Sequence, residues 1–325
     1  MLLAVVFIVV GLVMLIGGAE GLVRGAASLA ARLRISPLVI GLTIVAFGTS
    51  APELTVNLIA AVQGSADIGI GNVVGSNIAN ILLILGVSSM IVPLTVKRGT
   101  VWKEIPLALL GVVLLFIMGN DQLFDRVDFN AVTRTDGLAL MSLFFIFVYY
   151  ITGLARSERA EAEAIVTVED DVMQYTPLIS GALTLGGLAG LVVGGRLLVD
   201  GAVTLAEAAG LSEALIGLTI VAVGTSLPEL ATSAVAAIRG HADIAIGNVI
   251  GSNIFNVFWV LGLTSTVLQL PFNPATNVDV LVSVGSTALL FGLMFLGKKR
   301  QLERWQGAFL VLLYAGYILY LVLRG

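Results

Sequence analysis

Two eight-residue stretches hold the side chains of this chain best suited to chemistry. Ala46-Phe-Gly-Thr-Ser-Ala-Pro-Glu53 and Ala222-Val-Gly-Thr-Ser-Leu-Pro-Glu229 each place two hydroxyls, a proline and a carboxylate inside an apolar run. Pro52 lacks an N–H, and its ring clashes with the carbonyl four residues earlier, at Gly48. Gly48 permits a distorted backbone, so carbonyls around 46–49 are expected to become free. Free carbonyls at membrane depth are tolerated only where they are buried or line a site. Thr49 and Ser50 add hydroxyl oxygens, and Glu53 adds a carboxylate one turn on from Thr49. The second copy supplies Ala222, Thr225, Ser226 and Glu229. The inventory is all oxygen, with one charge per copy. That suits hard cations such as Ca²⁺ or Na⁺ better than soft transition metals. Two facing copies give two carboxylates, which repel when empty; one divalent or several monovalent cations relieve this.

The helix after each stretch adds neutral oxygens. Gly71-Asn-Val-Val-Gly-Ser-Asn-Ile-Ala-Asn80 recurs as Gly247-Asn-Val-Ile-Gly-Ser-Asn-Ile-Phe-Asn256. Gly71 and Gly75 have the small-xxx-small spacing of close helix packing. Ser76 and Asn80 share a helix face, as do Ser252 and Asn256. Asn72, Asn77, Asn248 and Asn253 are expected to hydrogen-bond between helices.

The elements that must position these residues are membrane spans. Of the 325 residues, 58% are hydrophobic and only 12% are charged, against about 25% charged in soluble domains. Mean hydropathy is +1.04. There is no cysteine, which excludes disulfides and thiolate metal sites. The N-terminus lacks the basic region of a secretory signal. No polar stretch is long enough for a soluble domain, and no GxxxxGK[ST] loop occurs, which argues against an ATP-driven pump. About ten apolar segments emerge, near 2–31, 36–62, 69–92, 102–119, 136–154, 177–207, 212–238, 245–269, 278–296 and 305–323.

A fixed offset of 176 relates the halves. Ser36–Asn57 aligns with Ser212–Ser233 at 14 of 22 identical positions, and Ala66–Leu82 with Ala242–Phe258 at 12 of 17. Five crossings separate the copies, so they enter the membrane from opposite sides, an arrangement many secondary transporters use. The expected domains are a first repeat, 1–155, a short cytoplasmic linker, 156–176, and a second, inverted repeat, 177–325. With both termini outside, 12 of the 17 Lys and Arg fall in cytoplasmic loops. The positive-inside bias therefore selects that orientation.

These motifs resemble the two α-repeats of the sodium/calcium exchanger branch of the cation/calcium (CaCA) antiporters, prokaryotic type. The resemblance spans both halves. It implies an all-α polytopic membrane protein of about ten transmembrane helices in two inverted-topology five-helix repeats. Central helices 2 and 7 would be broken, and long helices 1 and 6 would slide outside them. It further implies a calcium site of Glu53, Glu229, Thr49 and Thr225. Sodium sites would share the glutamates and add Ala46, Ala222, Ser50, Ser226, Ser76 and Ser252, with Asn80 and Asn256 central between the glutamates. Some relatives carry aspartate at the Asn256 position; asparagine removes that charge and weakens a potassium-dependent reading. The large cytoplasmic loop of eukaryotic relatives is absent.

The resulting expectation is a Na⁺/Ca²⁺ antiporter of a prokaryotic inner (plasma) membrane. It would work by alternating access as a monomer, with the lipid bilayer, Ca²⁺ and Na⁺ as partners and neither cofactor nor nucleic acid. Alternatives are an H⁺/Ca²⁺ antiporter on the same fold, a passive cation channel and a scaffold. An enzyme is not expected. Two charged pairs stand apart from the motifs. Glu20 and Arg24 are four residues apart, and Arg196 and Asp200 occupy the same positions at the 176 offset with reversed polarity. Both are expected to be structural i,i+4 ion pairs, with a charge relay as the alternative. The lone histidine, His241, is expected to be a solvated loop residue.

Overall fold

The computed structural model of the chain describes residues 1–64, 66–164, 175–209 and 222–324. Residues 212–221, the first part of the expected seventh span, and residues 165–174 of the expected linker lie outside the described residues.

Two helices of 32 residues, α1 (Leu2–Leu33) and α7 (Pro177–Ala208), run antiparallel against one side of the molecule. At 1.5 Å per residue each is about 48 Å long, more than the ~30 Å hydrocarbon core. Their contact is built from small residues at seven-residue intervals. Gly11 faces Gly194, Gly18 faces Gly187, and Gly25 faces Ser180 and Thr184. A Cβ added to Gly18 would stand 2.8 Å from the Gly187 carbonyl oxygen, so the backbones touch. Thr176 caps α7 by accepting from the Ile179 N–H, just ahead of Pro177. Pro177 is suited to the first helical turn because its missing N–H would be unpaired there anyway.

The second span is broken. Helix α2 (Pro37–Thr49) contains a π-helical turn at Gly41–Val45 and meets α3 (Ala51–Val62) at a 42° bend. The two most enclosed helices are α4 (Ile68–Ile91) and its repeat partner, which follows α5 (Arg98–Met118), α6 (Arg134–Ala164), α7 and the short α8 (Leu227–Ile238). That partner, α9 (Ala242–Val267), has 94% of its apolar window buried, against 28% for α1 and α7. The motif helices are therefore central and the long pair peripheral. Gly247 and Gly251 pack directly on α2, where a Cβ on Gly247 would lie 2.8 Å from the Leu38 carbonyl oxygen. Helices α10 (Pro274–Leu293) and α11 (Arg304–Arg324) complete the bundle.

Among the described residues eight helices are long and apolar enough to cross a membrane, and the bent α2–α3 pair makes a ninth. The tenth expected span is represented by α8, which follows the short helical turn Ala222–Gly224. Two tiny ribbons tie the halves together. Strand β1 (Leu94–Thr95) pairs antiparallel with β4 (Gln301–Leu302), and β2 (Ala131–Val132) pairs with β3 (Leu270–Pro271). Each ribbon takes one strand from each half. The expected linker, 156–176, begins as helix, because α6 continues to Ala164 and Glu158 accepts the Ser36 N–H at 2.9 Å.

Candidate functional site

The breaks at Ser50 and Ser226 have nearly the same backbone, φ −84° and ψ 5° in one, φ −90° and ψ 5° in the other. Each serine ends one helical stretch and precedes the next. Pro52 and Pro228 then sit in the first turn of α3 and α8, where a proline is pre-organised. Glu53 and Glu229 follow in the same first turns. A carboxylate there faces the positive end of its helix dipole. Both glutamates are 1% exposed.

The two motifs meet. Ser50 Oγ donates to Glu229 Oε1 at 3.3 Å, and Ser76 Oγ donates to Glu53 Oε1 at 3.5 Å. Glu53 Oε2, Glu229 Oε2, Ser226 Oγ, Ser252 Oγ, Asn80 Oδ1 and Asn256 Oδ1 are all buried without a protein hydrogen-bond partner. Each unsatisfied buried polar group costs about 1–3 kcal/mol. Six such oxygens among the twelve expected ligand residues form the kind of donor set a hard cation satisfies. Among the described residues no cluster of three or more His, Cys, Asp or Glu occurs; the charge available here is that of two carboxylates.

An asparagine layer surrounds these oxygens. Thr49 Oγ1 donates to Asn248 Oδ1 at 3.0 Å, and its repeat mate Thr225 Oγ1 donates to Asn72 Oδ1 at 3.3 Å. Asn80 Nδ2 donates to Asn253 Oδ1 at 2.8 Å, and Asn256 Nδ2 donates to Asn77 Oδ1 at 3.0 Å. Asn77 and Asn253 also donate to each other's backbone carbonyls, at 3.4 and 3.3 Å. These are the interhelical bonds the sequence assigns to Asn72, Asn77, Asn248 and Asn253. Their effect on the site is directional. They consume the hydroxyl protons of Thr49 and Thr225 and an amide N–H of Asn80 and Asn256.

Other expectations are corrected. The Ala46 carbonyl is not wholly free, for it accepts the Ser50 N–H at 3.0 Å, while Thr49 Oγ1, whose one proton goes to Asn248, stands 3.3 Å away. The bend is small enough to keep that helical bond, which leaves the carbonyl one further lone pair. In the second copy the Ser226 N–H bonds three residues back, to Val223 at 3.1 Å. The side chain of Ala222 lies outside the described residues. Arg196 and Asp200 do not form the expected pair; both are exposed beside a concavity of about 220 Å³ that also reaches Thr225. Glu20 and Arg24 do pair, at 2.6 Å, but Arg239 joins them at 2.5 Å. His241 is half-buried, and desolvation holds its pKa below the usual value.

Two features were not legible in the sequence. Asn80 opens a π-helical stretch to Leu85, and Phe255–Leu261, which contains Asn256, is another. Such turns cluster at functional sites, and no residue pattern in the chain marks them. The ring contact of Phe47 with Phe255, 5.6 Å between centroids, likewise joins α2 to α9 without a repeat signal.

The inverted pair of broken helices, with a buried two-carboxylate centre between them, defines a secondary-transporter architecture. The comparisons with known proteins specify the class. The model of the family described as "Sodium/calcium exchanger protein" matches residues 3–153 and 179–323, and the chain belongs to that family. It is 36% identical over 333 residues to the inner membrane protein YrbG of Escherichia coli, covering 99% of this chain and 97% of that one. It is 31% identical over 346 residues to the sodium/calcium exchanger MaX1 of Methanosarcina acetivorans, covering 97% of each. A solved structure of the sodium-calcium exchanger NCX_Mj superposes with a TM-score of 0.80 at 34% identity, covering 97% of each chain. The fold is accordingly the ten-helix inverted repeat expected from the sequence.

Proposed function

We propose that the protein exchanges Na⁺ for Ca²⁺ across a prokaryotic inner membrane, as a monomer, by alternating access. The observation that carries this reading is the set of unpartnered buried oxygens on Glu53, Glu229, Ser226, Ser252, Asn80 and Asn256, contributed by both inverted halves. Glu53, Glu229, Thr49 and Thr225 are the proposed calcium ligands. Ala46, Ala222, Ser50, Ser226, Ser76 and Ser252 complete the sodium positions, with Asn80 and Asn256 between the carboxylates. The name of MaX1 and the NCX_Mj crystals soaked with Na⁺ and Ca²⁺ support the same ion pair.

The mechanism follows from charge. Two uncompensated carboxylates inside a membrane protein carry a penalty of several kcal/mol each. Moving the apolar α1–α7 pair across an empty centre would seal that charge away from water. One Ca²⁺, or more than one Na⁺, neutralises it and permits the slide. Because the two ions compete for the same carboxylates, loading by one from one side follows release of the other. The proposed orientation keeps both termini outside, so the loops rich in Lys and Arg face the cytoplasm.

Calcium flux from proteoliposomes tests this under an imposed sodium gradient and, separately, an imposed pH gradient. Sodium-driven flux supports the reading. Flux driven by the pH gradient alone makes the protein an H⁺/Ca²⁺ antiporter, and flux that needs no counter-ion makes it a channel.

A further inference from the structure

Three loops converge on one concave surface of about 650 Å³ that none of the proposed cation ligands lines. They are the segment between α4 and α5, the turn between α8 and α9, and the loop between α10 and α11. Their charged and titratable contributions are Lys97, Arg98, His241, Asp243, Lys299 and Arg300. Lys97 is committed to Asp243, at 3.0 Å. Among the described residues no carboxylate lies within ion-pair distance of Arg98, Lys299 or Arg300. Desolvation holds the His241 pKa below its usual value, and the concavity's unpaired positive charge is that of those three cations.

The positive-inside bias accounts for basic loops on this face but not for their convergence. The backbone is also braced there. The Arg300 carbonyl accepts the Val96 N–H at 2.7 Å, and the Arg300 N–H donates to Met294 at 2.9 Å. Arg300 itself is held at φ 59°, and the β1–β4 ribbon lies directly beside it. The loops that carry Lys97 and Arg98 and those that carry Lys299 and Arg300 are thereby fixed against each other. Nearby, Trp102 and Phe295 are exposed, their rings tilted against each other with centroids 5.5 Å apart, and Trp305 is exposed as well. Exposed tryptophans of this kind lie at the headgroup level of a bilayer.

We propose that this concavity binds a phosphate group, carried either by an anionic phospholipid headgroup or by a free phosphate compound. Guanidinium groups match phosphate oxygens with paired hydrogen bonds. The volume falls within the range of small-molecule pockets, about 300–1,000 Å³. The site also has a mechanical connection to the cation centre. The Gly240–His241 turn joins α8, which carries Glu229, to α9, which carries Ser252 and Asn256, and Pro37 on the rim begins α2. A bound phosphate would hold these helix ends together and slow any step that separates them. Binding itself does not depend on ion selectivity or on which side of the membrane the face lies.

The test uses the full chain in nanodiscs, comparing wild type with the triple variant Arg98→Gln/Lys299→Gln/Arg300→Gln. In the first arm, tryptophan fluorescence is quenched by brominated phosphatidylglycerol or brominated phosphatidylcholine. In the second, inorganic phosphate is titrated by calorimetry into nanodiscs of phosphatidylcholine alone. A preference for the anionic lipid that falls at least about tenfold in the variant assigns the site to a headgroup; each basic residue near a membrane surface is worth about 1 kcal/mol toward anionic lipid. Saturable phosphate binding lost in the variant assigns it to a free phosphate. Identical wild-type and variant behaviour in both arms overturns the proposal. Thermal melting monitors folding, and the double variant Lys299→Gln/Arg300→Gln replaces the triple one if the latter does not fold.

Discussion

Asn80 of α4 donates its side-chain N–H to the Asn253 side-chain oxygen of α9 at 2.8 Å. The bond crosses the pseudo-two-fold relation between the halves and is repeated by Asn256 and Asn77. With the amide nitrogen held, Asn80 Oδ1 is the atom left unpartnered. Asn253 thus fixes which end of the Asn80 amide is held and which is left for the proposed cation site.

Asn253→Ala is expected to let the Asn80 amide rotate and to weaken calcium binding. Loss of an outer partner to a cation ligand typically costs about 10–100-fold in affinity, and a rise of that order is expected in the calcium KM of exchange. Asn253→Gln retains a neutral amide oxygen and should recover part of the loss. A merely structural role would instead lower thermal stability equally in both variants.

Glu53→Gln and Glu229→Gln keep shape and hydrogen-bonding groups but remove one of two charges. Each is expected to abolish calcium exchange in proteoliposomes while leaving the melting transition and detergent-solubilised size unchanged. Wild-type exchange by either variant would remove that glutamate from the site.

The parts of this site that the sequence revealed are those whose chemistry contradicts their surroundings. Glu53, Thr49 and Ser50 stand out because an apolar span has no other reason to carry them, and the 176-residue offset finds Glu229, Thr225 and Ser226. The inverted fold follows from the same offset and the number of crossings. What remained hidden depends on conformation rather than composition. The π-helical stretches at Asn80 and Phe255 leave no residue signature. The i,i+4 spacing of Arg196 and Asp200 suggests a pair, yet both side chains point to an open concavity. Arg239 lies 219 residues from Glu20, so no local pattern could join them.

The seven-residue glycine spacing of α1 and α7 gives a paired control. A side chain on Gly18 meets the backbone of α7, whereas one on adjacent Gly17 meets nothing within 4 Å. Gly18→Leu is expected to destabilise the protein by about 1–3 kcal/mol or more, the usual cost of overpacking. Gly17→Leu should lie within about 0.5 kcal/mol of wild type, as surface changes do. Thermal or denaturant unfolding in one detergent checks both. Equal effects would mean that the two long helices are not in backbone contact.

Glu20 offers a test of what the long helices move against. Its carboxylate on α1 binds Arg239 at the end of α8 through both oxygens, Oε1 at 2.5 Å and Oε2 at 3.0 Å. The pair therefore links a peripheral helix to a motif helix. The 176 offset puts Arg196 at the counterpart of Glu20 and Gln63 at the counterpart of Arg239, so the opposite side has neither the acid nor its cationic partner for an equivalent link. An interaction present on one side only favours the arrangement in which it is made. Because the groups are 25% and 49% exposed, its worth is at most about 1 kcal/mol, or roughly a fivefold bias between states. Arg239→Gln should shift the conformational population by up to about that factor, with little change in calcium affinity measured at equilibrium within one state. Single-molecule distance measurements between labels on α1 and α8 would report the shift. An unchanged population would show that Glu20 and Arg239 stay together throughout the cycle.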